Sequence, residues 1–213
     1  MRKKSISIVF WIALAICTLF VVYGAILPKQ LEAITQNITS FIAVNFSWYY
    51  LLLVLIIFFI CVYLLFSRYA SITLGVEGEE PEFSLLSWFA MLFSAGMGIG
   101  LVFWTTAEPV SHAYKATPIH KIGTQAAIND AFQFAFFHWG IHAWAVYGIV
   151  ALVFAYFNFH KGYPGLVSAT LVPIFGEKRM RGPIGSAIDV LAVIATVTGV
   201  AATLGLSLIH ISE

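Results

Sequence analysis

Five stretches of the chain are long runs of apolar residues, at 6–27, 48–66, 85–106, 132–157 and 184–206, separated by shorter segments that hold most of the charge. Each is close to the ~20 residues that a helix needs to cross a bilayer. Backbone inside lipid finds no water to bond, so a spanning segment closes its hydrogen bonds within a helix. The pattern predicts an all-α integral membrane protein with five spans. The first run follows Arg2, Lys3 and Lys4 in the manner of a signal peptide. Its apolar core exceeds the ~7–15 residues of such a segment, and GAILP at 24–28 offers no small-x-small cleavage site, so the helix is expected to be retained.

Composition strengthens this reading. The chain is 61% hydrophobic and only 10% charged, against roughly 25% charged in soluble domains. Its 19 Phe, 9 Tyr and 6 Trp suit lipid-facing and interfacial positions. With a net charge of +1 and no long basic run, no nucleic-acid partner is expected. Cys17 and Cys61 both fall inside apolar runs and predict neither a disulfide nor a metal framework. Charge also sets orientation. With the N-terminus in the cytoplasm, the inner segments hold Arg2, Lys3, Lys4, Arg68, Lys161, Lys178, Arg179 and Arg181, and the outer ones hold Lys29, Lys115 and Lys121. That excess inside matches the positive-inside rule, and five spans then leave the C-terminus outside.

The third run reads FSAGMGIGLVFWTTAEP over residues 93–109. Gly96, Gly98 and Gly100 are spaced by two, and residues two apart point about 200° away from one another on a helix. A packing stripe alone would not place them so, although Gly96 and Gly100 by themselves form the GxxxG of close helix pairs. The spacing is not that of a dinucleotide-binding loop, and no strand precedes it. The other reading is a broken helix, with backbone donors and acceptors of Gly96, Met97, Gly98 and Gly100 available near mid-membrane. Such backbone is tolerated where it lines a cavity, and in secondary transporters it meets substrate carboxylates and coupling ions. Glycine would supply conformational freedom there and let a ligand approach. Glu108 and Pro109 follow the apolar run and are expected at its outer end, either as an interfacial cap or as a gating or packing pair.

Residues 137–147 read FHWGIHAWAVY. On a continuous helix Trp139, Trp144 and Tyr147 fall within an arc of about 140°. One such face is either an interfacial aromatic belt or a cage for a quaternary ammonium group. A methylated ammonium donates no hydrogen bond, and each ring face attracts it by ~0.5–2 kcal/mol. Glycine betaine, choline and carnitine all carry that group, and the donors around residues 96–100 would suit the carboxylate of betaine. His138 and His142 lie four apart, the spacing of two metal ligands on a helix, but no third ligand or HExxH pattern accompanies them. Thr196, Thr198 and Thr203 in the fifth run either bond back to their own helix, link helices, or, for Thr196, hold an ion.

These stretches together resemble the betaine/choline/carnitine transporter family, most of all its bacterial glycine betaine members. The residues that carry the likeness are FSAGMGIGLVFW with AEPVSH, FFHWGIHAWAVY, KGYPGLVSATL and IDVLAVIATVTGVAATLGL, and it extends over residues 5–206. It implies the N-terminal five helices of a twelve-helix, inverted-repeat symporter fold like that of the leucine transporter, with the third helix broken at the glycines. It also implies an aromatic box that includes Trp139, Trp144 and Tyr147, with further tryptophans from a later helix. One sodium site would use carbonyls of Ser94 and Met97. A second would use Thr196, although Val200 stands where some members have another threonine. No other cofactor is implied; a proton is the alternative coupling ion.

By the same likeness the protein is a multi-pass protein of the bacterial cell membrane and a homotrimer at full length, and it takes up an osmoprotectant. Family members continue past LGL with a glycine and seven more helices, whereas this chain reads SLIHISE over 207–213. That tail is expected to be non-native or truncated, and the chain alone inactive. A membrane assembly protein using GxxxG would explain the glycines and leave the aromatic face idle. A hydrolase built on His138 and His142 would need a further ligand or nucleophile that the sequence does not show, so no enzymatic activity is expected.

Overall fold

The computed structural model of the chain describes residues 7–212 apart from 76, 77, 79, 97 and 118, without side chains at 95, 99 and 206–212. Every regular element among the described residues is helical. Helix α1 (Ile8–Ile26) starts at Ser7, whose Oγ accepts from the Val9 N–H at 3.3 Å. Pro28 then opens α2 (Pro28–Phe66), at a position where its missing N–H is not needed. Helix α2 has 39 residues, about 58 Å at 1.5 Å per residue, which is nearly twice the hydrocarbon thickness. The apolar run begins only at residue 48, but the helix begins twenty residues earlier. Polar side chains there bond back to their own helix, Thr35 Oγ1 to the Leu31 carbonyl at 2.9 Å and Asn45 Nδ2 to that of Phe41 at 2.8 Å.

The third apolar run is divided into α3 (Leu85–Gly96) and α4 (Ile99–Tyr114), with Gly98 extended between them at φ −63° and ψ 179°. Helix α4 does not stop at residue 106. It continues through Glu108 and Pro109, and the proline removes one donor from the ladder without ending the helix. Helix α5 (Gln125–Trp139) is capped by Thr124, whose Oγ1 accepts from Ala127 N at 3.2 Å, so it starts ahead of the apolar run at 132. Gly140 separates it from α6 (Ile141–Ala155), which ends in a π-helical turn at Tyr156–His160. Three short helices follow, α7 (Val167–Thr170), α8 (Val172–Phe175) and α9 (Glu177–Met180), and α10 (Pro183–Ser212) closes the chain. Among the described residues, four helical stretches are long and apolar enough to cross a membrane: Ile8–Ile26, Pro28–Phe66, Gln125–His160 and Pro183–Gly205. The third expected span, 85–106, is not among these four, because the chain there is divided between α3 and α4.

The chain forms two compact units, Met1–Gly75 with Ile149–Thr198, and Val76–Gly148 with Gly199–Glu213. In the first, Asp189 of α10 is buried and accepts from Ser168 N at 3.0 Å and from Ser168 Oγ at 2.7 Å. An acid inside an apolar span is costly unless its oxygens are bonded. Here the bonds fasten the start of α7, and with it the segment after α6, onto α10. A cavity of about 740 Å³ lies in this unit, lined by Phe10 and Leu14 of α1, Tyr163, Met180 of α9, and Asp189 and Val193 of α10 among others. Helix α2 has no buried residue, as suits a surface for lipid or further helices.

In the second unit α4 and α5 pair antiparallel. Glu108 meets His138 and Trp139, and one turn further along α4 the His112 ring lies 6.0 Å from that of Phe134, one turn back along α5. Ala113, Ala127 and Ala131 are almost fully buried, and their small side chains let helix backbones approach closely. The intervening loop turns at Gly123, which has φ +74° and donates its N–H to the Ala113 carbonyl. It is tied down by His120 Nδ1 against Asp130 Oδ2 at 2.6 Å.

The Asp189 clasp makes a direct prediction for stability. Asp189→Ala leaves two buried donors of Ser168 unpaired and should destabilise the protein by about 1–3 kcal/mol. Asp189→Asn keeps one acceptor oxygen and should cost less. Thermal unfolding of the purified protein in detergent, compared across the two variants, checks both the size and the order.

Candidate functional site

Glu108 is 7% exposed and sits in the body of α4. Its Oε2 accepts from the indole Nε1 of Trp139 at 2.6 Å, a short bond of the charge-assisted kind. His138 Nδ1 stands 2.9 Å from Oε1 and 3.0 Å from Oε2. His112 Nε2 adds a longer contact at 3.4 Å, beyond the usual hydrogen-bond range. The carboxylate therefore takes the last two side chains of α5 and fixes them against α4. Neither an interfacial cap nor a solvated helix end describes it; the two-helix packing reading of the Glu-Pro pair is the one that matches this geometry.

Immediately beyond Trp139 the helix breaks. Gly140 has φ −79° and ψ −163°, backbone that any residue adopts, but a Cβ there would be driven into the carbonyl oxygen of Phe136. The requirement for glycine is steric. The break also changes the aromatic arrangement expected from a single helical face. Trp139 ends α5, while Trp144 and Tyr147 belong to α6, so an arc drawn on one continuous helix does not relate them. A hydrogen bond does so instead: Trp144 Nε1 donates to the Trp139 carbonyl at 3.0 Å. The Trp144 and Tyr147 rings then lie 5.8 Å apart with their planes 37° from parallel. Both are open, at 40% and 73% exposure. A continuous chain of contacts thus runs from Glu108 through Trp139 and Trp144 to Tyr147.

The second break, between α3 and α4, has a different character. Gly98 and Gly100 each have open space where a Cβ would stand, with nothing within 4 Å, and φ at Gly98 is negative. The conformation at residue 98 makes no use of glycine's special freedom. What glycine leaves here is room beside the first turn of α4, where the Gly98 carbonyl already accepts from Leu101 N at 3.0 Å and only the N–H groups ahead of Leu101 come before the first intrahelical bond. Gly96 ends α3, and Ser94 lies in its last turn. Met97, expected both beside substrate and as a sodium ligand, lies outside the described residues. In the first unit, Thr196 Oγ1 donates to the Ala192 carbonyl of its own helix at 2.8 Å. His138 is engaged with Glu108, and His142 is half-buried with its ring 5.5 Å from Phe137. Among the described residues no group of three or more His, Cys, Asp or Glu could hold a metal. None of the described residues expected to bind substrate lines the 740 Å³ cavity, which offers mostly aliphatic walls and no clustered indoles.

The two glycine breaks predict opposite responses to a methyl group. Gly140→Ala forces the last turn of α5 to move and should destabilise the protein by about 1–3 kcal/mol, as overpacking does. Gly98→Ala should change stability by less than about 1 kcal/mol. Melting temperatures in detergent check the contrast.

Comparison with known proteins bears on what this arrangement serves. The family model described as BCCT, betaine/carnitine/choline family transporter, matches residues 8–213. The chain is 54% identical over 209 residues to the glycine betaine transporter OpuD of Bacillus subtilis, a match that covers 98% of this chain and 41% of that protein. It is 45% identical over 203 residues to a protein of Desulfitobacterium hafniense named "probable glycine betaine transporter", covering 95% of this chain and 40% of the relative. It is 40% identical over 205 residues to the ectoine/hydroxyectoine transporter of Virgibacillus pantothenticus, covering 96% and 40%. The chain spans about two-fifths of the length of these relatives, which are transporters and not enzymes. With a family match over nearly its whole length and helices long enough to span a bilayer, the chain belongs to the betaine/carnitine/choline family of membrane transporters.

Proposed function

We propose that this chain is part of a secondary transporter that takes up a quaternary ammonium osmolyte, glycine betaine foremost, coupled to sodium and serving osmoprotection. The observation that carries the reading is the open pair of rings, Trp144 and Tyr147, 5.8 Å apart and tethered through Trp139 to a buried carboxylate. A trimethylammonium group is weakly hydrated and cannot donate hydrogen bonds, so ring faces stabilise it better than a competing hydrated cation. The N–H groups at the start of α4, beside Gly98 and Gly100 and just after Gly96 at the end of α3, suit the carboxylate of betaine, and Met97 is assigned to the same substrate site from the sequence. Sodium would be held by carbonyls of Ser94, in the last turn of α3, and of Met97, the latter assigned from the sequence. Thr196, whose hydroxyl hydrogen goes to Ala192, keeps oxygen lone pairs for a second ion. The names of the two most similar relatives reported above favour betaine, and the third keeps ectoine-like solutes in view.

In this reading the N-terminus lies in the cytoplasm of a bacterial cell, as the distribution of Lys and Arg favours. The full-length protein has the twelve-helix inverted-repeat fold and assembles as a homotrimer. Proton coupling, with choline or carnitine as substrate, is the second reading, and the observation in its favour is the Glu108 carboxylate shared by His138 and His112.

The test is uptake of labelled betaine by a full-length transporter that carries this segment. Trp144→Leu keeps the site apolar and removes the ring, so KM should rise about tenfold while the protein still reaches the membrane. Replacing sodium by potassium should stop uptake, whereas a dependence on pH in place of sodium would favour the second reading. An unchanged KM for Trp144→Leu would overturn the aromatic site.

A further inference from the structure

Glu108 meets His138, Trp139 and His112, and no substrate group is needed to explain these contacts. Its partners are two side chains at the end of α5, one of them an aromatic residue of the proposed site. Indole N–H is a donor only, so Oε2 acts as acceptor at 2.6 Å, and His138 Nδ1 lies within 3.0 Å of both oxygens. The indole donor favours the ionised form of Glu108, and a His138 that donates from Nδ1 favours it further. An N–H that donates to a full negative charge pushes electron density back into its ring, and a richer ring face attracts a cation more strongly.

Position adds to this. The bond holds Trp139 at the last turn before Gly140, and the carbonyl of the same residue receives the Trp144 indole at 3.0 Å. If Trp139 moved, the acceptor for Trp144 would move with it, and the orientation of Trp144 sets the 5.8 Å spacing to Tyr147. One carboxylate on α4 thereby governs rings on both sides of a helix break, although it touches only the first. We infer that Glu108 is a positioning residue of the quaternary ammonium site, which orients the Trp139 indole and enriches its ring face through the N–H···O bond. This rests on the aromatic reading of the site proposed above. It assigns the charge of Glu108 to the affinity for a permanent cation and not to contact with it.

The experiment is a double-mutant cycle on the full-length transporter in proteoliposomes, read as KM and kcat for betaine uptake. Glu108→Gln keeps the size and one acceptor oxygen and removes the charge, so KM should rise about fivefold with kcat within about twofold. On a Trp139→Phe background, which has no N–H to receive, the same change should leave KM where Trp139→Phe alone puts it. If Glu108→Gln does not accumulate in the membrane, Glu108→Asp draws the charge back by one methylene and should show the same dependence on Trp139. An equal rise in KM with and without the Trp139 indole would overturn the inference. So would an unchanged KM for Glu108→Gln alongside a raised KM for Trp144→Leu, and that outcome leaves the substrate reading intact. If neither variant alters KM, the substrate reading itself fails.

Discussion

A buried carboxylate between two helices is expensive unless every oxygen is occupied, and the second unit is organised around meeting that condition at Glu108. Its bonds to Trp139 and His138 set the register of α4 against α5, which the buried alanines 113, 127 and 131 then allow to close. They also fix the end of α5 at the place where Gly140 must break the helix. Without the carboxylate, nothing else among these contacts ties the end of α5 to a particular level of α4. The Trp144 ring is linked to that bond, because its indole donates to the carbonyl of the residue whose side chain Glu108 holds.

The two helix breaks in this unit do different work. At Gly140 a side chain is excluded by the Phe136 carbonyl, so the break is a packing requirement. At Gly98 the backbone is ordinary and the space beside it is open, so no packing contact among the described residues requires glycine there. Irregular backbone in a membrane needs protein or water around it. The chain spans about two-fifths of its relatives' length, and in the proposed reading further helices supply those surroundings. The first unit follows the same rule on a smaller scale: Asp189, an acid in an apolar helix, is tolerated because Ser168 supplies both of its donors.

Much of this was legible from residue order. Runs of apolar residues located α1, the second half of α2, most of α5–α6 and α10, and the two-residue glycine spacing pointed to the interruption near residue 98. The polar half of α2 was not legible from hydropathy, because side chains such as Thr35 and Asn45 bond back to a helix that lipid does not require. The role of Glu108 was obscured by its place after the apolar run, where an acid and a proline read as an ending. The signal that could have found it was the pairing of EPxxH with HW thirty residues later, since an acid and several ring N–H donors on neighbouring helices satisfy one another. The helical arc for Trp139, Trp144 and Tyr147 assumed a straight helix through Gly140, and only the backbone there reveals that a hydrogen bond links the first two. The cavity beside α1 had no signature at all, being built from residues far apart in the chain.

In the proposed function, rings held from Glu108 receive a quaternary ammonium group. The most direct measurement is a structure of a full-length transporter carrying this segment with betaine bound. The expected result is the trimethylammonium within about 6 Å of the ring centres of Trp139, Trp144 and Tyr147, with the Trp139 indole still donating to Glu108. Betaine bound away from all three rings, for example in the cavity between α1 and α10, would contradict it.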